Sequence, residues 1–312
     1  MSSAQFVFQA VKGIQANMEH FVTMVPLDCL SKLFVFNNEE LPPELRAQRV
    51  LNKARIPAMC DYIIKNPTSY VFSALTASVD GDILFTPLSK EHPTLGTITI
   101  DISSKLLIND GQHRRAAIEA ALKINPDLKY EHIPVVLYHD LGLKRAQQMF
   151  SDLNKFALRP THSLNIMYDN RDADSKLSKE IIANVPVFHG LVDTEHTSIS
   201  NRSNQLFTLS GIHRGTKALF SGLTWDYEKT REVGISCWTS VSDYMQDWKD
   251  VYEGKKKAYV IRQDSLSSLS ITIKGLGTVG NEILRQAPDT VNTALSRLTT
   301  IDWHKNGPLW KE

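Results

Sequence analysis

One stretch of the chain decides the fold: Leu106-Leu107-Ile108-Asn109-Asp110-Gly111-Gln112-His113-Arg114-Arg115-Ala116-Ala117. Its apolar beginning predicts a strand over residues 105–109, and Asp110-Gly111 predicts a turn directly after that strand. The alanine-rich continuation predicts a helix over residues 112–124, which Asn125-Pro126 would end. A strand, a glycine turn and a helix in immediate succession indicate an α/β domain.

The segments on either side extend this alternation to about residue 160. Strands are predicted over residues 20–26, 70–79, 83–86, 97–102 and 133–138, and helices over residues 27–36, 44–65 and 143–156. Asp80-Gly81, which lies between two of these strands, predicts a tight hairpin. Beyond residue 161 helical periodicity dominates, with helices predicted over residues 173–184, 206–221, 231–252 and 266–285. We therefore expect an α/β (α+β) domain over residues 1–165 and a mainly helical domain over residues 166–312.

The composition is that of a globular protein. Of the 312 residues, 42% are hydrophobic and 22% are charged, a balance that supports a buried core. No apolar run reaches the roughly 18 residues that span a bilayer, and the first ten residues lack the features of a secretion signal. Cys29, Cys60 and Cys237 are too far apart for a cysteine zinc site, and no metal site is expected. These features predict a soluble, cytoplasmic protein without a membrane partner.

The charge is unevenly distributed although the net charge is only +1. Residues 196–225 contain no aspartate or glutamate but include Arg202, Arg214 and Lys217. A surface formed by this segment would carry a local positive field, so we take these three residues as candidates for contacts to a DNA backbone. The alternative is a polar segment that merely lacks acidic residues.

The turn at Asp110-Gly111 has the features of a phosphate site. The first turn of a helix has unpaired backbone N–H groups and the positive end of the helix dipole, and Gly111 lets a ligand approach the backbone. Arg114 and Arg115 could donate to phosphate oxygens, while Gln112 and His113 lie in the same turn and His113 could donate or shuttle a proton. Asp110 could hold a metal that bridges phosphates, or it could simply cap the helix.

A second wall of this site could come from the end of the predicted helix over residues 143–156. Asn154, with Lys155 and Arg159, lies where functional groups gather at the strand ends of an α/β domain. The alternative is a solvated helix end that favours cations through the helix dipole.

Other motifs have simpler explanations. Residues 275–280 fit the Gly-x-Gly-x-x-Gly dinucleotide fingerprint, but only about thirty residues follow, too few for the rest of a dinucleotide-binding sheet. The glycines could equally serve a contact between helices. His189, His196 and His213 lack metal-ligand spacing, and we expect structural or surface roles for them. Trp303 and Trp310 are expected to anchor the end of the chain to the core.

Asp110-Gly111-Gln112-His113-Arg114 is also the hallmark of the DGQHR-domain proteins. The sequence resembles the DndB family within that group, which belongs to bacterial DNA phosphorothioation (DNA sulfur modification) systems. The resemblance extends through nearly the whole chain, over residues 150–154 (FSDLN), 168–172 (YDNRD), 206–210 (LFTLS) and 301–303 (IDW).

The resemblance implies a ParB/sulfiredoxin-like fold for the N-terminal part, in which such a turn holds a nucleotide. It assigns Gly111, Gln112, His113 and Arg114 to nucleotide or DNA-phosphate contact. Two departures limit this transfer. Gln112 stands where sulfiredoxin has its nucleophilic cysteine, so sulfiredoxin chemistry is not expected, and the paired arginines that follow Gly-Glu in ParB are not reproduced.

The leading hypothesis from the resemblance is a regulator that binds double-stranded DNA and controls a sulfur-modification gene cluster. A homodimer would double the positive surface and match a two-fold operator. One alternative is an enzyme that hydrolyses ATP or CTP with Mg²⁺, assisted by His113. Another is a non-catalytic accessory subunit that binds other sulfur-modification proteins. A non-enzyme is favoured because Asp110 is the only acidic residue near the turn in sequence, and phosphoryl transfer needs groups that hold a metal.

Overall fold

The computed structural model describes residues 4–34, 52–139, 148–149, 151–153, 155 and 160–310. The chain divides into two compact units, Met1–Ala157 and Leu158–Glu312. The first unit is built on a mixed sheet with helices, and the second is mainly helical. The predicted fold class, α/β followed by a mainly helical part, is confirmed.

The first unit contains a sheet of seven strands within its described residues. The strands are β1 (Gln5–Gln15), β2 (Met18–Pro26), β3 (Leu75–Asp80), β4 (Ile83–Pro87), β5 (Leu95–Asp101), β6 (Lys105–Asp110) and β7 (His132–His139). They lie in the order β4-β5-β1-β2-β7-β3-β6. Each neighbouring pair is antiparallel except β3 and β7, which are parallel.

Strand β1 is absent from the sequence prediction, although it lies at the centre of the sheet. Phe6, Phe8 and Ala10 face the core on alternate positions, as a half-buried strand requires. Ala16 and Asn17 connect β1 to β2 with φ angles of 52° and 62°, the backbone that a two-residue type I′ hairpin turn demands. This local turn fixes the pairing of Val11 opposite Val22 and of its neighbours.

The hairpin predicted at Asp80-Gly81 is wrong. Strand β3 pairs with β6 and β7, whereas β4 pairs with β5. Leu75, Ala77 and Val79 of β3 are fully buried, and a buried strand needs hydrogen-bond partners on both sides. Tertiary pairing therefore overrides the local turn signal, although Gly81 does adopt a positive φ of 142°.

Helices α1 (Leu30–Leu33), α2 (Ile56–Lys65) and α3 (Gln112–Ile124) cover the buried face of this sheet. The helix predicted over residues 44–65 corresponds, within the described residues, to α2, which has Pro57 in its first turn, where the missing N–H costs nothing. The predicted helix over residues 27–36 is shorter: a 3₁₀ turn, Leu27–Cys29, leads into α1. The predicted helix over residues 143–156 lies largely outside the described residues.

The second unit is an assembly of helices with a short parallel pair of strands, β8 (Val192–Asp193) and β9 (Phe207–Thr208). The helices are α4 (His162–Tyr168), α5 (Ala173–Asn184), α6 (Leu209–Leu219), α7 (Tyr227–Tyr244), α8 (Gln246–Tyr252), α9 (Ala258–Asp264), α10 (Ser270–Gln286) and α11 (Val291–Leu295). Large aromatic side chains form the centre of the core, namely Phe188, Phe207, Trp238 and Trp248. The helix predicted over residues 231–252 is two helices, which meet at the buried Met245.

The dinucleotide fingerprint at residues 275–280 lies inside helix α10, so the strand–turn–helix geometry that binds dinucleotides is absent from this segment. A Cβ added at Gly277 would overlap the carbonyl oxygen of Gly215 on α6. The glycines therefore allow two helix backbones to touch, as the alternative explanation predicts. No helix among the described residues is long and apolar enough to cross a membrane.

Candidate functional site

The strand, turn and helix predicted around Gly111 are confirmed. Strand β6 ends at Asp110 and helix α3 begins at Gln112, with Gly111 between them at a φ of 103°. A side chain at this position would be strained by its φ and would overlap the side chain of Leu75. Glycine is therefore required both by the sharp turn and by the close approach of β3.

Asp110 does not cap the helix, which corrects one of the roles proposed for it. The N-cap position is Gly111, and no side chain accepts a hydrogen bond there. Asp110 still belongs to the sheet, opposite Thr76 of β3. From that position its carboxylate reaches one helical turn ahead and forms an ion pair with Arg114.

Arg114 joins the start of α3 to the segment that leads into β3. Its guanidinium donates to the carbonyl oxygens of Ser73 at 2.7 Å and Ala74 at 2.8 Å, to the Ser73 hydroxyl and to Asp110. Its side chain is only 14% exposed. The donors that the sequence assigns to phosphate oxygens are therefore engaged by the protein itself.

The neighbouring side chains of the turn also have internal partners. The Arg115 Nε lies 2.8 Å from the Glu119 carboxylate on the same helix. The Gln112 amide donates to the Ile108 carbonyl oxygen at 3.3 Å. The first contact stabilises α3 itself, and the second joins the start of α3 to the end of β6.

His113 faces a second segment that sequence reasoning did not connect with the turn. The backbone N–H of Asn52 donates to His113 Nε2 at 3.0 Å, so Nε2 carries a lone pair and Nδ1 carries the hydrogen. Burial, together with the positive charge of Arg55, lowers the pKa of His113 below its ordinary value. His113 is thus a neutral hydrogen-bond donor at neutral pH.

The turn retains one set of groups that could hold an anion. The first turn of α3 has backbone N–H groups without intrahelical partners, since the first helical bond of this end runs from Arg115 N to the Gly111 carbonyl. Arg55 lies close enough to His113 to influence its pKa. Four cavities of about 300–460 Å³ are lined by described residues, and none of the four contains residues 110–115. Asn154 and Arg159 lie outside the described residues, and Lys155 is exposed.

Arg214 and Lys217 lie one turn apart on α6, and both are exposed. Arg214 Nε donates to the Ser210 carbonyl oxygen at 3.2 Å. Lys217 Nζ lies 3.1 Å from the carboxylate of Asp174, which belongs to α5. The segment without acidic residues in sequence is therefore next to an acidic residue in space, and its positive field is partly neutralised.

Arg202 lies on the loop before β9 and is not part of α6. The backbone of this loop is held by Arg262, which donates to the carbonyl oxygens of Ser200, Ser203 and Gln205. The structure thus pairs two of the three proposed DNA contacts on one helix and puts the third on a separate, anchored loop. Arg262 was not singled out by sequence because its role depends on a partner segment about sixty residues earlier.

His213, His196, Trp303 and Trp310 have structural contacts, whereas His189 is exposed. His213 Nδ1 lies 3.0 Å from the Ser178 hydroxyl in the core, and His196 pairs with Asp193 at 3.0 Å. Among the described residues, no group of three or more His, Cys, Asp or Glu side chains could hold a metal ion. Trp303 packs against the core and stacks on Trp310 at 5.9 Å, as the anchoring role predicts.

The comparison with protein families bears on the whole chain. Residues 8–312 match the model of the DndB family, which is described as DNA-sulfur modification-associated. The chain belongs to the DndB family. The match links this DndB-family protein to DNA sulfur modification, as the DGQHR motif predicts.

No curated protein and no solved structure matches this DndB-family chain. The ParB/sulfiredoxin-like topology therefore stays a prediction. So do the assignments of Asp110, Gly111, Gln112, His113, Arg114, Arg115 and Asn154 to phosphate contact.

Proposed function

We propose that this DndB-family protein is a DNA-binding transcriptional regulator of a DNA sulfur-modification gene cluster. The observation that carries the proposal is the family match over residues 8–312, which links essentially the whole chain to DNA sulfur modification. Double-stranded DNA is the proposed partner, in a bacterial cytoplasm, and other sulfur-modification proteins are possible further partners.

The geometry of the turn favours binding over hydrolysis. A general base needs a free lone pair that can take a proton, but the Nε2 lone pair of His113 already accepts from Asn52 N. Arg114 is held by Ser73, Ala74 and Asp110, so it acts on the shape of the turn. What remains for a ligand is the His113 Nδ1–H and the backbone N–H groups, which suit a phosphate oxygen. The same groups would suit ATP or CTP if a nucleotide acts as the signal.

The exposed side of α6 is the second proposed contact with DNA. Arg214 and Lys217 point one charged donor each from successive turns of one helix, and phosphate contacts of this kind position a duplex without reading its sequence. The ion pair of Lys217 with Asp174 at 3.1 Å would have to open or be shared with a phosphate.

Three variants test the α6 contact by titration of labelled DNA at several salt concentrations. Lys217→Ala should weaken the binding of all DNA sequences. It should also make the salt dependence shallower, reducing the magnitude of the negative slope of log K against log salt by about 1. Asp174→Asn should strengthen binding, because it frees the same ammonium. Lys90→Ala, an exposed lysine of the first unit, is the matched control and should behave as wild type.

If Lys217→Ala and Asp174→Asn both bind as wild type, α6 is not the DNA surface. Phosphate release from ATP or CTP that His113→Ala abolishes would instead support the enzyme hypothesis, and co-purification with modification enzymes without DNA binding would support the accessory role.

A further inference from the structure

One half of the outer sheet face in the first unit is apolar and exposed. Strands β4, β5, β1 and β2 pack their inward side chains against the core, while their outward side chains meet solvent. The large outward residues are 39–64% exposed: Val7, Val11, Val22, Met24, Leu84 and Leu95. An antiparallel sheet normally presents polar residues on its solvent side, so this pattern indicates a surface that is covered in the functional protein.

The register aligns these side chains into continuous rows. Val11 lies opposite Leu95 on one side and Val22 on the other, and Val22 lies opposite Val136. A second row runs from Leu84 through Thr99 to Val7. Between the rows lie Thr86, Thr97 and Gln9. These three rows include no charged residue, and we call the surface that they form with Met24 the β4–β2 face. Asp101, opposite Gln5, lies at its edge, one outward position beyond the row of Leu84, Thr99 and Val7.

The other half of the same sheet face is occupied by the chain itself. Asn109 of β6 contacts Met149, with its Nδ2 at 3.2 Å from the sulfur, and also donates to Ser78 of β3. Tyr138 of β7 lines a cavity with Gln148 and Leu153. Among the described residues, the exposed apolar part of this sheet face is therefore the β4–β2 face.

We infer that the β4–β2 face packs against the same face of a second copy of this chain, which makes the protein an isologous dimer. Across a two-fold axis each residue near the axis meets its own copy, so a charged residue there would face a like charge. A face of Val, Leu, Met, Thr and Gln avoids that repulsion. A nucleic acid or a charged partner would instead require charges of the opposite sign on this surface, as the phosphate contacts of DNA-binding proteins do.

The size of the face suits such a dimer. Four strands spaced about 4.8 Å apart, paired over up to seven residues at about 3.4 Å each, give a face of roughly 19 by 24 Å. Two such faces have a combined area of about 900 Å², close to the roughly 1,000 Å² that a specific interface needs. Two sheets packed face to face would lie about 10 Å apart, as in a sandwich.

The test is the mass of the full-length protein by light scattering and sedimentation over a wide concentration range. Wild type should dimerise, and Val11→Lys should raise the dimer Kd by about a hundredfold or more, because each dimer would bury two unpaired ammonium groups. Leu84→Lys, on the neighbouring row, should do the same. Val279→Lys is the matched control, since Val279 on α10 is 52% exposed and Val11 is 51% exposed.

A wild type that stays monomeric at every concentration overturns the inference, as does a dimer that survives both lysine substitutions. If the variants do not fold, hydrogen exchange on wild type decides: residues 5–11 and 95–101 should gain protection as concentration rises, and equal exchange at all concentrations would contradict the dimer. The inference does not rest on DNA binding. A wild type that binds DNA but stays monomeric at every concentration would refute the dimer alone and leave the proposed function standing.

Discussion

Replacing Arg114 with alanine distinguishes two roles of its guanidinium. It could bind a phosphate, or it could act as a clamp that holds the start of α3 to the segment before β3. The substitution removes donors to the carbonyl oxygens of Ser73 and Ala74 and the ion pair with Asp110. Hydrogen bonds from a charged donor contribute about 1.5–3 kcal/mol each, and water can partly replace them because Ser73 is exposed. We therefore expect a loss of about 2–3 kcal/mol in the free energy of unfolding.

The assay is urea denaturation followed by far-UV circular dichroism, with hydrogen exchange over residues 105–124 as the local readout. All five tryptophans lie in the second unit, so tryptophan fluorescence reports that unit and not the clamp. A loss of this size corresponds to a decrease of roughly 4–12 °C in Tm.

Arg115→Ala is the matched control for Arg114→Ala. Both side chains are 14% exposed, but the ion pair of Arg115 is with Glu119 on its own helix, and such pairs contribute about 0.3–0.5 kcal/mol. Arg114→Lys should be intermediate, because an ammonium keeps the charge without the planar fork. Wild-type stability of Arg114→Ala combined with a loss of DNA binding would refute the clamp and restore Arg114 as a ligand group.

Two further perturbations follow from the second unit. Gly277→Ala should lower Tm strongly, because the new Cβ would overlap the Gly215 carbonyl and such overpacking costs about 1–3 kcal/mol or more in the free energy of unfolding. Gly275→Ala is the matched control, since a Cβ there meets nothing within 4 Å, and it should stabilise helix α10 by about 0.5–1 kcal/mol. Equal Tm values for the two variants would refute the helix contact. Burial lowers the pKa of His213 below 6.5, although Asp174 and Asp172 oppose it. The unfolded chain therefore binds the proton first as pH falls. The contribution of neutral His213 to the free energy of unfolding should be complete above about pH 7 and should decline as the pH falls through 6.5 toward the pKa of the folded protein. His213→Gln should flatten Tm against pH in this window, and an unchanged slope would contradict the assignment.

The parts of the fold that sequence predicts well are those fixed by local chemistry. The strand, turn and helix around Gly111 follow from an apolar run, a glycine and an alanine-rich segment, all within twenty residues. Strand β1 escapes prediction because Val7 and Val11 point outward, which removes the apolar–polar alternation that marks a half-buried strand. The same outward valines form the β4–β2 face.

The partners of the candidate site depend on tertiary structure and could not be read from spacing. Arg114 meets Ser73, 41 residues earlier, and His113 meets Asn52, 61 residues earlier. Lys217 meets Asp174 across two helices, so a segment without acidic residues does not make a surface without them. The motif identifies the turn at Gly111 as the candidate site, and the long-range contacts decide which of its side chains can still bind a ligand.

The central claim is tested most directly by the preference of the wild-type protein for DNA from upstream of its own gene cluster. Anisotropy titrations with this DNA and with a scrambled duplex of equal length, at matched salt, give the ratio of the two Kd values. A regulator should prefer the upstream DNA by about a thousandfold or more at physiological salt, with both affinities falling as salt rises. Equal affinity for the two duplexes at every salt concentration would contradict the proposed function.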